Sequence, residues 1–217
     1  MRVITKSYPV DMEYLTLYPI GDVHYGAREC REKQFADYTQ RIKADDHAAV
    51  LLLGDLVNNG IRSSVTNVYA EKYTPGQQKR DMIEMLRPIG DKVICAVEGN
   101  HERRSAHECD VDITRDMCDA IGCGTAYEPD MAFLKVSVGR KHNGKPATYM
   151  FLVTHGAGGG VLLGSGVNKP DAMQVRIDGI DGSISGHTHK PMKVRSPRMV
   201  FDSRNNNVVL TDTMIFV

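Results

Sequence analysis

"AAVLLLGDLVNNG", residues 48–60, decides the fold. Ala48 to Leu53 form a short unbroken apolar run. Such a run reads as a strand buried on both faces, the kind found in a parallel sheet covered on each side. It stops at Gly54–Asp55, a flexible residue followed by a carboxylate. Read alone, Asp55 is a turn or cap residue as readily as a ligand. The same pattern recurs, however. "YLTLYPIG" (14–21) is a strand running into "GDVH", and "DKVICAVEGNH" (91–101) is a buried strand running into "GNHE". Between the strands lie stretches with helical spacing. Phe35, Tyr38 and Ile42 share one face of 29–44, and Met82, Ile83 and Leu86 share one face of 74–90, where Pro75 stands near the start. A further helix is expected over 110–124, stopped by Gly122 and Gly124.

Past residue 130 the texture changes. "MAFLKVSVG" and "ATYMFLVTHG" alternate and are joined by "RKHNGKP", a hairpin connection around Asn143–Gly144. "GAGGGVLLGSG" (156–166) reads as a glycine-rich loop. "DGSISGHTH" is a short strand with a polar ending, and 197–217 reads as a hairpin with an "NNN" turn. Helices and parallel-type strands come first, then hairpins. The expected fold is α/β: a four-layer α-β-β-α sandwich of two mixed sheets flanked by helices, one domain over residues 1–217. The chain stops on an apolar strand. The simplest reading is that this strand ends the fold, with a truncated C-terminal end as the alternative.

Composition narrows the function classes. The chain has 217 residues with 27 Lys+Arg and 27 Asp+Glu, so its formal net charge is zero. No global basic field attracts a nucleic-acid duplex or an anionic membrane. Apolar runs fall well short of the ~20 residues of a membrane span, and the N-terminal stretch has no apolar signal region. Five cysteines, odd in number and without a CxxC pair, suit free thiols in a reducing cytosol. A cytoplasmic protein with no obligatory protein partner is expected.

Five stretches end in metal-type donors: Asp22 and His24; Asp55, Asn58 and Asn59; Asn100, His101 and Glu102; His155; and His187 with His189. Residues just past the carboxyl ends of strands converge on one rim of an α/β sheet, where ligands bind. Gly21, Gly54, Gly99 and Gly186 precede these donors and permit close backbone approach there. Imidazoles, carboxylates and an amide, with no thiolate, suit Mn²⁺, Fe or Zn²⁺ better than Ca²⁺ or Mg²⁺. Mn²⁺ is the first choice. There are too many donors for one ion, and about seven would serve two ions that share a carboxylate.

In order and spacing, "GDVH…GDLVNNG…GNHE…THG…GHTH" resembles the signature of the calcineurin-like metallophosphoesterase superfamily. The motifs span residues 21–189. The "THGAGGG" variant and the small size resemble its stand-alone phage and bacterial members. The resemblance implies that Asp22, His24 and His189 hold one metal, Asn100, His155 and His187 the other, and that Asp55 bridges them. A hydroxide between the metals would be the nucleophile, and His101 would assist the leaving oxygen. It implies a phosphate-ester substrate, with nucleotides and single-stranded nucleic acid among those allowed. One departure matters: the superfamily's protein Ser/Thr phosphatases carry Arg at the position of Asn59. Its absence lowers the expectation of a phosphoprotein substrate and leans toward diesters.

Substrate contacts are expected from Asn59 and from Arg103 and Arg104, whose planar forks match phosphate. Glu102 reads as a helix-start carboxylate. Lys190 reads as solvated, and Thr188 as a spacer in extended backbone between two histidines. "GGVLLGS" (159–165) is not a phosphate loop, since Ser165 stands where Lys is needed. The rival reading is a binding module on the same fold that has lost catalysis. Such a module would be expected to lose several ligands, and this chain keeps all seven together with His101.

Overall fold

The computed structural model describes residues 2–65 and 68–217. Ten strands and five α-helices are laid out over them. The first half alternates β2 (Thr16–Ile20), α1 (Glu32–Ala44), β3 (Ala48–Leu52), α2 (Pro75–Leu86) and β4 (Val93–Val97). It continues with α3 (Asn100–Cys109), α4 (Ile113–Ala120) and the short β5 (Tyr127–Glu128). Strands β2-β3-β4-β5 form a four-stranded sheet in that order, parallel throughout. The second sheet has six strands in the order β1-β6-β7-β8-β10-β9. These are β1 (Val3–Ser7), β6 (Met131–Arg140), β7 (Pro146–Thr154), β8 (Gly182–Ile184), β9 (Lys193–Asp202) and β10 (Asn207–Phe216). It is mixed: β6–β7 and β10–β9 are antiparallel hairpins, while β1–β6, β7–β8 and β8–β10 run parallel.

Burial explains the apolar run that began the reading. In β3, Val50 and Leu52 point to one side and pack with Phe35, Ile42, Met82, Leu86 and Met117 of the helices. Ala49, Leu51 and Leu53 point to the other and pack with Leu134, Val136, Val153 and Ile184 of the larger sheet. Both faces are therefore covered, and period-two alternation disappears from the sequence. Each fully buried Leu here contributes about 1.5–3 kcal/mol. Local signals set the helix starts. Thr74 Oγ1 accepts from the Gln77 N–H before Pro75, and Asp112 Oδ1 accepts from the Arg115 N–H at 2.8 Å.

The two-sheet α/β architecture is as expected, with one refinement: only the six-stranded sheet is mixed. The smaller sheet is built wholly from crossovers through helices, which force parallel strands. Three elements lay outside the sequence reading: β1, the two-residue β5 and α5. Strand β1 buries only Ile4 among its residues. Helix α5 (Ser165–Gln174) begins inside the stretch read as a glycine loop, and it covers the outer face of the larger sheet. Its buried residues are Gly166, Pro170 and Gln174, so it has no apolar stripe to announce it.

Candidate metal centre

The five donor stretches all follow strand ends. Strands β2, β3 and β4 deliver Asp22, His24, Asp55, Asn100 and His101 from one sheet. Strands β7 and β8 deliver His155, His187 and His189 from the other. The cluster therefore straddles the rim where the sheets meet. Two glycines let β3 and β4 end side by side. Gly54 has φ +82°, and a Cβ there would lie 2.2 Å from Gly99 N. A Cβ on Gly99 would lie 2.1 Å from Asp55 N. No other residue fits this crossing.

The donor residues themselves adopt left-handed backbone: Asp22 (φ 53°), His24 (48°), Asp55 (50°), His187 (71°) and His189 (53°). Left-handed non-glycine residues are uncommon and gather where surrounding structure imposes strain. This corrects the expectation for Thr188. The "GHTH" segment is not extended; it curls, with Thr188 N–H donating to Gly186 O at 2.9 Å. Both imidazoles reach the cluster through positive φ, not through strand alternation.

Two donor groups result. In one, His24 Nε2 lies 3.2 Å from His189 Nε2, and His189 Nε2 lies 3.5 Å from Asp22 Oδ1. In the other, His155 Nε2 lies 3.0 Å from Asn100 Oδ1, 3.1 Å from His187 Nδ1 and 3.4 Å from Asp55 Oδ2. Asp55 Oδ2 also lies 3.8 Å from both His24 Nε2 and His101 Nε2, so it faces both groups. Two hydrogen bonds fix the ring tautomers. His155 Nδ1 is 2.7 Å from Leu53 O, and His101 Nδ1 is 2.8 Å from Asn58 O. A carbonyl only accepts, so each Nδ1 carries the proton, and in the neutral ring Nε2 presents a lone pair. Asp22 Oδ1 is buried with no hydrogen-bond partner. Lone pairs that face one another without protons between them fit a cation; they do not fit each other. The donor set thus fits divalent metal ions of the imidazole- and carboxylate-binding kind.

Electrostatics agree. Burial, then the neighbouring His101, pull His24 down to about 4. Burial also lowers His101 and His187. Burial alone would raise Asp55, yet the hydrogen bond and charge of His155, with His101, hold it near about 2. Burial likewise works against protonated His155, but Asp55 outweighs it and raises the group. Asp55 is thus a carboxylate at neutral pH, and His24 and His187 are neutral imidazoles, the forms that bind metal.

The structure also sorts the remaining site residues. Asn59 was expected at the substrate; it is fully buried, and its Nδ2 donates to His101 O at 2.7 Å and Ser105 Oγ at 3.0 Å. Arg103 was expected there too; its guanidinium is held by Glu98 at 2.8 Å and Asp130 at 2.9 Å. Neither is brought to the cluster, because each side chain finds a nearer polar partner in its own neighbourhood. Arg104 Nη1 reaches Asn58 O at 3.3 Å, beside the His101 ring. Lys190 is half-buried and tied down: its Nζ donates to Leu162 O at 2.9 Å and Ser165 Oγ at 2.8 Å, and also to Gly160 O. It ties the histidine turn to the glycine loop.

Sequence reasoning underrated Glu102. It is fully buried, and its two oxygens accept from the N–H groups of Asp55 (2.9 Å), Leu56 (2.7 Å) and Val57 (3.1 Å). It clamps the turn that presents Asp55. Burial, then the Asp55 charge, push it up to about 7. Asn58 is also held, its Nδ2 donating to Glu71 Oε1 at 2.5 Å. Neither role has a signature in a single sequence.

An α/β fold of two stacked sheets, carrying a histidine and carboxylate cluster on converging strand ends, defines a metal-binding hydrolase scaffold. The chain belongs to the calcineurin-like phosphoesterase family, whose profile matches residues 15–191. Membership implies metal-dependent hydrolysis of phosphate esters. Comparison with the curated proteins gave no match. Among the described residues, no helix is long and apolar enough to cross a membrane.

Proposed function

We propose that the protein is a dinuclear metal-dependent phosphodiesterase. The convergence of two donor groups on the shared carboxylate of Asp55 carries this reading. Asp22, His24 and His189 would hold one ion, and Asn100, His155 and His187 the other, with Asp55 serving both. Mn²⁺ suits this set, and Fe or Zn²⁺ would also be accepted. The bound ions would supply a Lewis acid and acidify a water to a pKa near ~7.

The chain's own residues do the rest. Glu102 holds the Asp55 turn rigid, and Asp55 Oδ1 accepts from the His101 N–H at 2.8 Å, locking α3 against β3. Asn58 O orients His101 so that Nε2 faces the cluster. In its protonated form His101 would pass a proton from Nε2 to the departing oxygen. Burial lowers this histidine, and the negative charge of a phosphate ester acts in the opposite direction. Arg104, next to His101, remains a candidate phosphate contact. Diesters are favoured over monoesters because position 59 carries no guanidinium to balance a monoester's second charge. The cysteines are free, which suits a reducing, cytoplasmic setting.

The test is metal analysis of the purified protein together with hydrolysis of bis-p-nitrophenyl phosphate in Mn²⁺. Two ions per chain and a Mn²⁺-dependent rate are expected. No bound metal and no turnover would reduce the protein to a silent binding module.

A further inference from the structure

The C-terminal hairpin outruns the sheet it belongs to. Strand β8 pairs with β10 only over Met214–Phe216. Asn207–Thr213, with the β9 residues opposite, therefore runs on past β8 as a two-stranded arm roughly 20 Å long. A two-stranded ribbon needs a further layer to be stable in water. The outer face of the arm has one near its base. Ser196 Oγ donates to Asp171 Oδ1 of α5 at 2.8 Å, and Arg198 Nη1 donates to Ile177 O at 3.1 Å. The inner face meets the core only where Phe216 packs with the residues between the sheets. Strand alternation and the cross-strand pairs put Met199, Phe201, Val208 and Leu210 on that same inner face further out. They are exposed by 78%, 64%, 54% and 70% respectively. The face that elsewhere forms the core thus continues onto the arm and lies open to solvent there.

The free edge of β9 is a poor docking line. Met192 and Val217 exchange both backbone hydrogen bonds, at 2.9 and 3.0 Å. Counted from that pair, antiparallel alternation turns the backbone of Lys193, Arg195, Pro197, Met199 and Phe201 toward the free edge. Pro197 has no N–H to offer there, and Lys193 and Arg195 charge the rest of the edge, which opposes strand addition. The open surface is the inner face. Its four side chains present roughly 400–500 Å² of apolar area, within the range of the largest patches on monomers, which are often functional. Two copies placed face to face bury about twice that, and the flanks bring the contact past the roughly 1,000 Å² of a specific interface. Charge permits the pairing. The chain has zero formal net charge, and an acid and a base stand beyond each end of the patch: Arg195 paired with Asp212 at one, Asp202 and Arg204 at the other. A two-fold axis therefore sets no block of like charge against itself. We propose that the inner face of the β9–β10 arm is a homodimer interface, in which each copy's arm covers the other's. Strand β10 runs parallel to β8 and ends beside Ile184, just before His187. The tip of the arm is thus at the end away from the metal rim, and the dimer leaves both clusters open.

The test is sedimentation velocity of the full chain over a concentration series. A species of two chains, populated at micromolar concentration, is expected. In M199T/F201T/L210T, whose threonines keep strand preference, the dimer dissociation constant should rise by at least about a hundredfold. The pair V200T/V209T alters the opposite face of the arm and should leave that constant within about twofold. A second measurement needs no variant and stands even where the triple variant fails to fold. Amide hydrogen exchange of the wild type at 199–201 and 208–210 should be slower in a concentrated sample than in a dilute one. A wild type that sediments as a monomer at every concentration would overturn the interface. So would a dimer that survives the triple variant, equal weakening by both variants, or exchange that ignores concentration. Flotation of a monomeric wild type with phosphatidylcholine vesicles would overturn it too, and would give the face to a lipid surface instead.

Discussion

Asn59 offers the sharpest test of how the site is built. Its side chain is fully buried and donates to His101 O at 2.7 Å and Ser105 Oγ at 3.0 Å. Its φ is +45°, in the left-handed region. Asn59→Ala removes both bonds, worth about 1 kcal/mol each, and strands the buried Ser105 hydroxyl. It also places a Cβ-bearing residue without a compensating amide at positive φ, which costs about 1–2 kcal/mol. The total expected loss is about 3 kcal/mol. Asn59→Gly loses the same bonds but none of the φ strain, while giving back about 0.5–1 kcal/mol in unfolded-chain entropy. Glycine should therefore be the more stable variant by roughly 0.5–1 kcal/mol, the reverse of the usual order. Urea unfolding of the metal-free protein measures both. For a chain of this size, 3 kcal/mol corresponds to a Tm drop of roughly 6–12 °C. If Ala equals or exceeds Gly, the left-handed strain is not where it is placed. If both variants match the wild type and only KM rises, Asn59 is a substrate contact after all.

Other outcomes follow from the same geometry. Gly99→Ala should cost more than about 3 kcal/mol, because its Cβ would sit 2.1 Å from Asp55 N; a thermal melt within 1 kcal/mol of wild type would refute the close crossing. Asp55→Asn should remove more bound metal and more activity than His101→Ala, since Asp55 Oδ2 faces both donor groups; metal analysis of the two variants decides, and full metal in Asp55→Asn would overturn the bridge. Metal should leave on mild acidification. His155 is raised above 6.5, so in the metal-free chain it takes up a proton before His24, which is held down to about 4. Metal retained after dialysis should drop between pH 8 and 5, and a flat profile to pH 4.5 would rule out histidine ligation.

Much of this could be read from the chain because the informative residues are punctuated. An apolar run that stops at a glycine and a carboxylate reports both a doubly covered strand and a donor at its end, and Leu51, Leu52 and Asp55 behave accordingly. What stayed hidden depends on partners distant in sequence. Asn59 and Arg103 looked like phosphate donors until Ser105, Glu98 and Asp130 came within reach. Glu102 looked like a helix-start charge, but the three N–H groups it binds belong to residues more than forty positions earlier. Helix α5 carried no stripe because Gly166, Pro170 and Gln174 are what it buries.

The left-handed backbone at Asp22, His24, Asp55, His187 and His189 has a consequence for engineering. A library of this protein screened only for heat resistance would be drawn toward glycine at these positions, where each replacement relaxes strain of about 1 kcal/mol. Every such winner would discard a donor atom. Thermostability and turnover would therefore diverge at the rim first, and a screen that retains metal during selection would keep the two together.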